Sequence, residues 1–185
     1  MSAADVPGAD AACLLERVDR GRYRSRSPEA TAALGGCLGG VLRAGDLVIL
    51  SGDLGAGKTR FTGGVSAALG DVRPVTSPTF TIMAVHDSGR MPLYHFDLYR
   101  LDDPEQLDDV GIFDALEGEG ACLVEWGERF ADELGDDRLD LAFRREEGRD
   151  AEGEPARLVV ATALGARSGR LLDDFDARVR ALLAP

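Results

Sequence analysis

The chain has 185 residues, 44% of them hydrophobic, which suits one domain with a substantial core and requires no second. Its 33 acidic and 21 basic residues give a net charge of −12, so the surface as a whole repels phosphate backbones and argues against autonomous, tight nucleic-acid binding. Cys13, Cys37 and Cys122 stand far apart with neither a C-x-x-C nor a Cys/His cluster, and read as buried thiols without disulfide partners rather than as a zinc site.

Residues 1 to 12 are small, acidic and aperiodic, and predict a disordered acidic tail ahead of a single domain over residues 13 to 185. The tail has neither a basic start nor a long apolar core, and no apolar run approaches membrane-spanning length, so a cytoplasmic protein is expected. A first strand is expected within Leu14 to Tyr23. Arg17, Arg20, Arg22, Arg24 and Arg26 crowd this segment and read as a solvated strand or tail rather than an RNA site. Ser27-Pro-Glu29 marks a helix start, with Ser27 as N-cap and Pro28 in the first helical position. Ala30, Ala33, Leu34, Cys37, Leu38, Val41 and Leu42 then form one apolar stripe. Gly35, Gly36, Gly39 and Gly40 weaken this helix, so packing must hold it.

The apolar strand Leu47-Val-Ile-Leu50 leads into Gly52-Asp-Leu-Gly-Ala-Gly-Lys-Thr59, which fits G-x-x-x-x-G-K-[ST] at every fixed position. Glycines here let successive backbone N–H groups of Asp53, Leu54, Gly55, Ala56, Gly57, Lys58, Thr59 and Arg60 wrap a phosphate without Cβ clashes. Lys58 adds a point charge for the β/γ-phosphates, Thr59 a hydroxyl for Mg²⁺, and the following helix aims its positive end at the same anion. The chain has 20 arginines and a single lysine, Lys58, at the position where a compact ammonium rather than a planar guanidinium fits.

Beyond Gly70, Pro74 to Phe80 is a loop with two prolines and three hydroxyl residues. Thr81 to His86 and Pro92 to Tyr99 then predict a hairpin across Asp87-Ser-Gly-Arg90. If His95-Phe-Asp-Leu-Tyr-Arg100 is a strand, His95, Asp97 and Tyr99 share one face with Phe96 and Leu98 behind them. Asp97 is a candidate for orienting the attacking water or a metal-bound water; the bland alternative is a surface pair with Arg100. Thr79 is a candidate reporter of the γ-phosphate. Short helices are expected after Pro104 and from Gly111 to Leu116. Ala121-Cys-Leu-Val124 is a buried strand ending at Glu125, the acid a P-loop site needs to hold Mg²⁺ or its water shell. Trp126, the only tryptophan, packs over the site or in the core. Leu139 to Phe143 and Leu158 to Thr162 alternate as a second hairpin around the acidic stretch Glu146 to Pro155, and a final helix follows Ser168. Parallel strands with a P-loop crossover plus antiparallel hairpins predict an α/β fold, a P-loop NTPase-like three-layer sandwich with a mixed parallel/antiparallel sheet.

Taken together and in this order, the Gly52 to Thr59 loop, Ser77-Pro-Thr-Phe80, His95-Phe-Asp-Leu-Tyr-Arg100 and Glu125-Trp126 resemble the TsaE family, formerly YjeE, from about Ser27 to Ala163. That resemblance implies a bacterial P-loop ATPase required for threonylcarbamoyladenosine (t6A) in tRNA. It would use ATP and Mg²⁺, act with TsaB and TsaD, and meet tRNA only through that complex. It assigns Lys58 and Thr59 to the phosphates and metal, Glu125 with Thr59 to Mg²⁺, and Asp97 to hydrolysis. Two departures stand out: Arg60 replaces the usual second threonine, and the Glu146 to Pro155 loop looks like an insertion. Two alternatives remain from the residues alone, a small-molecule kinase and a nucleotide-gated interaction module with incidental turnover.

Overall fold

The computed structural model describes residues 14–149 and 155–184. The expected acidic tail, Cys13 and the tip of the acidic loop lie outside the described residues. Where one early strand is expected, two form, β1 (Leu15–Asp19) and β2 (Arg22–Ser25), because Gly21 at φ 71° folds the chain back on itself. Their arginines are tied to acids rather than simply solvated. Arg17 Nε donates to Asp176 Oδ1 at 2.8 Å, Arg20 Nε to Asp173 Oδ1 at 2.9 Å, and Arg24 Nε to Glu146 Oε2 at 2.6 Å. Burial pushes the Asp176 carboxyl up, but the Arg17 guanidinium, the Tyr23 hydroxyl and the Gly21 amide together outweigh it and hold the group below its ordinary value.

Helix α1 (Pro28–Gly39) starts as its sequence dictates, with Ser27 Oγ accepting from Ala30 N at 3.0 Å. It lies directly on α2 (Lys58–Leu69), and the glycines make that approach possible. A Cβ on Gly35 would sit 2.1 Å from Phe61 O, and one on Gly64 would sit 1.9 Å from Ala32 O. These glycines cost helix propensity and repay it with backbone contact.

The remaining strands are β3 (Leu47–Ser51), β4 (Met83–His86), β5 (Leu93–Asp97), β6 (Ala121–Glu125), β7 (Leu139–Arg149) and β8 (Pro155–Ala163). They join one sheet in the order β1-β2-β8-β7-β3-β6-β5-β4. Pairing is parallel across β7-β3-β6-β5 and antiparallel in the flanks. β3 is therefore central and covered on both faces, as its unbroken apolar run requires. On one face Val48, Leu50, Leu123 and Leu141 pack against α1, α2 and α6 (Ala166–Leu182). On the other, Ile49, Phe96 and Val124 pack with α3 (Gln106–Asp109), α4 (Ile112–Leu116) and α5 (Ala131–Leu134). The fold is α/β, a mixed eight-stranded sheet flanked by helices.

Two local expectations need correction. Strand β5 ends at Asp97, so Tyr99 does not continue its face and is exposed. Leu98 N donates to Glu125 O at 3.0 Å, and Arg129 then gathers the carbonyls of Leu98, Tyr99 and Leu101, which turns the chain away. Ser168 does not precede α6; it lies in the first turn, where its hydroxyl accepts from Gly165 N at 2.9 Å. Among the described residues no helix is long and apolar enough to cross a membrane.

Candidate functional site

The carboxyl ends of β3, β5 and β6 lie side by side, because Leu50 pairs with Glu125 and Asp97 also pairs with Glu125. In parallel α/β sheets ligands bind at this edge. The loop that leaves β3 turns through Gly52 (φ 133°), Gly55 (φ 74°) and Gly57 (φ 110°), angles that L side chains resist. A Cβ on Gly52 would also lie 2.4 Å from Phe143 O. Asp53, Leu54 and Gly55 are exposed at the tip, Ala56 is buried, and Arg60 is exposed on the first turn of α2. Arg145 Nη2 donates to Leu54 O at 2.9 Å, a brace on the loop from β7 that sequence reasoning missed.

Lys58 is only 4% exposed, and its ammonium donates to Gly52 O at 2.6 Å and Asp53 O at 3.2 Å. Burial lowers its pKa below the ordinary lysine value, opposed by the nearby carboxylates of Glu125, Glu128, Asp97 and Asp53. Thr59 Oγ1 donates to Glu125 Oε1 at 3.0 Å. The same carboxylate oxygen lies 3.0 Å from His95 Nε2, which is fully buried; with the proton on Nε2, His95 donates and fixes the carboxylate. That tautomer leaves His95 Nδ1 without a partner, as is Nε2 of His86, whose ring centroid lies 6.1 Å away.

Asp97 is buried and heavily bonded. Its Oδ2 accepts from Ser77 Oγ at 2.5 Å and Thr79 Oγ1 at 2.7 Å, while Oδ1 accepts from Tyr99 N at 3.1 Å. Thr79 is thus bound to Asp97, and Ser77, which the sequence reading did not single out, is bound with it. The signal was there in two hydroxyls flanking Pro78. Ile82, at φ 65°, closes this loop, with its N–H donating to Pro78 O at 2.6 Å and its carbonyl accepting from Asp97 N at 2.9 Å. Arg100 does not pair with Asp97; its guanidinium lies 4.9 Å from the exposed Phe80 ring. Trp126 lies over the site, with its ring centroid 4.2 Å from Lys58 Nζ.

A hydroxyl and a carboxylate side by side at a phosphate loop are hard oxygen donors of the kind Mg²⁺ accepts. Among the described residues no group of three His, Cys, Asp or Glu side chains could cage a metal unaided. The pair therefore fits an ion that takes its other ligands from phosphate and water.

A parallel-centred α/β sheet with a glycine loop between a buried strand and a helix, facing an acid on the neighbouring strand, defines the P-loop class. Within that class, the family model described as "Threonylcarbamoyl adenosine biosynthesis protein TsaE" matches residues 25–152. The chain belongs to the TsaE family. It is 38% identical over 155 residues to the protein TsaE of Bacillus subtilis, covering 84% of this chain and 93% of that one. It is 48% identical over 141 residues to that of Streptomyces coelicolor, covering 72% and 90%. Both relatives are named for tRNA threonylcarbamoyladenosine biosynthesis. The crystal structure of Bacillus subtilis YdiB superposes with a TM-score of 0.67 at 32% identity, covering 89% of this chain and 97% of that one.

Proposed function

We propose that the protein is the Mg²⁺-dependent ATPase subunit of the t6A modification machinery, hydrolysing ATP to sustain turnover of a TsaB–TsaD transferase. One observation carries the reading. Lys58, the Thr59–Glu125 pair and the Ser77–Thr79–Asp97 cluster meet at one edge of the sheet, on the ends of β3, β6 and β5.

In this reading the loop amides and the Lys58 ammonium bind the β- and γ-phosphates. Thr59 and Glu125 would hold Mg²⁺, which would neutralise phosphate charge. His95 keeps Glu125 turned toward Thr59 through its 3.0 Å contact. Asp97 orients the attacking water, its carboxylate held in place by two hydroxyls and one backbone amide. Thr79 lies on the loop that senses the terminal phosphate and shares a carboxylate oxygen with Ser77.

The test is phosphate release by the protein alone, with TsaB, with TsaD and with both, each with and without Asp97→Asn. The protein alone should turn over slowly, because partner-supplied charge is worth orders of magnitude in this chemistry. The complex should turn over faster, and Asp97→Asn should abolish turnover while ATP still binds. Fast hydrolysis in isolation, or a fully active Asp97→Asn complex, refutes the assignment.

A further inference from the structure

Lysine ammonium has three donor directions, and two of them end on Gly52 O and Asp53 O. The carboxylates of Glu125, Glu128, Asp97 and Asp53 act on this charge from a distance, so its third direction still needs a partner in contact. The remaining partner is the indole face of Trp126, with its centroid 4.2 Å from Nζ.

The ring is held there at a cost. Trp126 adopts φ 62°, a left-handed conformation that a bulky residue takes only when its surroundings force it. Its backbone N–H donates to Leu50 O at 3.1 Å, tying it to β3 two residues before the loop begins. The next residue is hemmed in as well, since a Cβ on Gly127 would meet Val124 Cγ1 at 2.9 Å. On its flank Tyr99 packs against the indole with ring centroids 5.1 Å apart. The strand end that launches the loop therefore also fixes the ring. Strain kept at a site is a pointer to what the strained residue does.

We propose that Trp126 is a positioning residue for Lys58: its indole face holds the ammonium against the Gly52 and Asp53 carbonyls before nucleotide arrives, so that the charge already stands inside the loop where phosphate binds. This rests on the reading of the loop as a phosphate site. Its consequence is preorganisation, since an ammonium already in place costs no side-chain ordering on binding.

Trp126→Leu removes the π face and Trp126→Phe keeps a smaller one. Affinities for ATP and for inorganic tripolyphosphate, each with Mg²⁺, are measured by calorimetry in full-length protein. Trp126→Leu should weaken both ligands by the same factor, roughly 2- to 30-fold, and Trp126→Phe should recover most of it. Tripolyphosphate has no base or sugar, so a loss confined to ATP would mean that the ring contacts the nucleoside, and would overturn the proposal. In the nucleotide-free protein Trp126 is the sole indole emitter, and Lys58→Met, which removes the charge but keeps the chain length, should shift its emission maximum. That arm holds even if Trp126→Leu fails to fold. Unchanged emission in folded Lys58→Met, or wild-type affinity for both ligands in folded Trp126→Leu, overturns the proposal and leaves the phosphate site standing. Failure of the wild type to bind either ligand overturns both.

Discussion

Substituting Gly64 by alanine would set two effects of known sign against each other. In a helix interior alanine is favoured over glycine by about 1 kcal/mol. Opposing that, the new Cβ would lie 1.9 Å from Ala32 O, a backbone atom that no rotamer change can move. Real Cβ contacts essentially never fall under 3.0 Å, so α1 and α2 must part by about 1 Å. Overpacking of this kind costs about 1–3 kcal/mol, and a backbone-on-backbone clash belongs at the upper end. The net is a loss of about 2 kcal/mol, or about 4–8 °C in Tm for a chain of this size. Gly63→Ala is the internal control, since its Cβ would meet only Val75 Cβ at 3.9 Å. It should gain up to about 1 kcal/mol from the same helix, by propensity alone. Thermal and urea unfolding of both variants, monitored by circular dichroism, decides the matter. Equal stability of Gly64→Ala and Gly63→Ala would show that the two helices do not meet at their backbones, and the account of the glycines would fall.

Lys58 is the only lysine and is 4% exposed without nucleotide, so its acetylation rate, followed by mass spectrometry, should be slow in the free protein and slower still with ATP and Mg²⁺; faster labelling with saturating ATP would refute phosphate contact. Burial pushes the thiols of Cys37 and Cys122 up to about 11 and about 12; both should resist iodoacetamide at pH 8 in the folded protein and react in urea. The carboxyls of Asp137, bonded by the Ser168 and Arg167 amides, and of Glu146, bonded by Arg24, are held below their ordinary values. With Asp176, whose carboxyl is also lowered, they titrate lower in the folded chain than in the unfolded one. Their stabilisation is therefore complete above about pH 5 and is lost as pH falls through the folded values. Tm should drop below about pH 5, and Asp176→Asn should flatten that drop; an unchanged acid limb would refute the linkage.

The central part of the fold was legible because its signals are local. Leu47 to Thr59 carries strand, loop and helix start in thirteen consecutive residues, and Ser27-Pro28 announces α1 by chemistry that acts within one turn. The turn of the N-terminal hairpin had a local marker in Gly21, but its arginines find their acids about 150 residues away, at Asp173 and Asp176. No window of sequence shows that pairing. The face shared by His95, Asp97 and Tyr99 fails at Tyr99 for a similar reason: the carbonyls that turn the chain are gathered by Arg129, on a different element. Period-two alternation predicts faces only while the strand lasts. The geometry of Trp126 was equally hidden, since nothing in Glu125-Trp126-Gly127 announces a left-handed indole.

Arg17, Arg20 and Tyr23, near one end of the described chain, bond to Asp173 and Asp176 in α6, near the other. Their hairpin joins the sheet through β2, which pairs with β8, and β7 lies between β8 and β3. A ribosome emits β1, β2 and the entire phosphate loop well before it emits β7, β8 and α6. During synthesis, then, β3 lacks both its parallel neighbours and the early hairpin has no sheet to join. Contacts so distant along the chain close slowly, and until they close the unpaired strand edges are open to other chains. A chain arrested before Asp173 would carry every residue of the phosphate loop and lack the two acids that tie the early hairpin to α6.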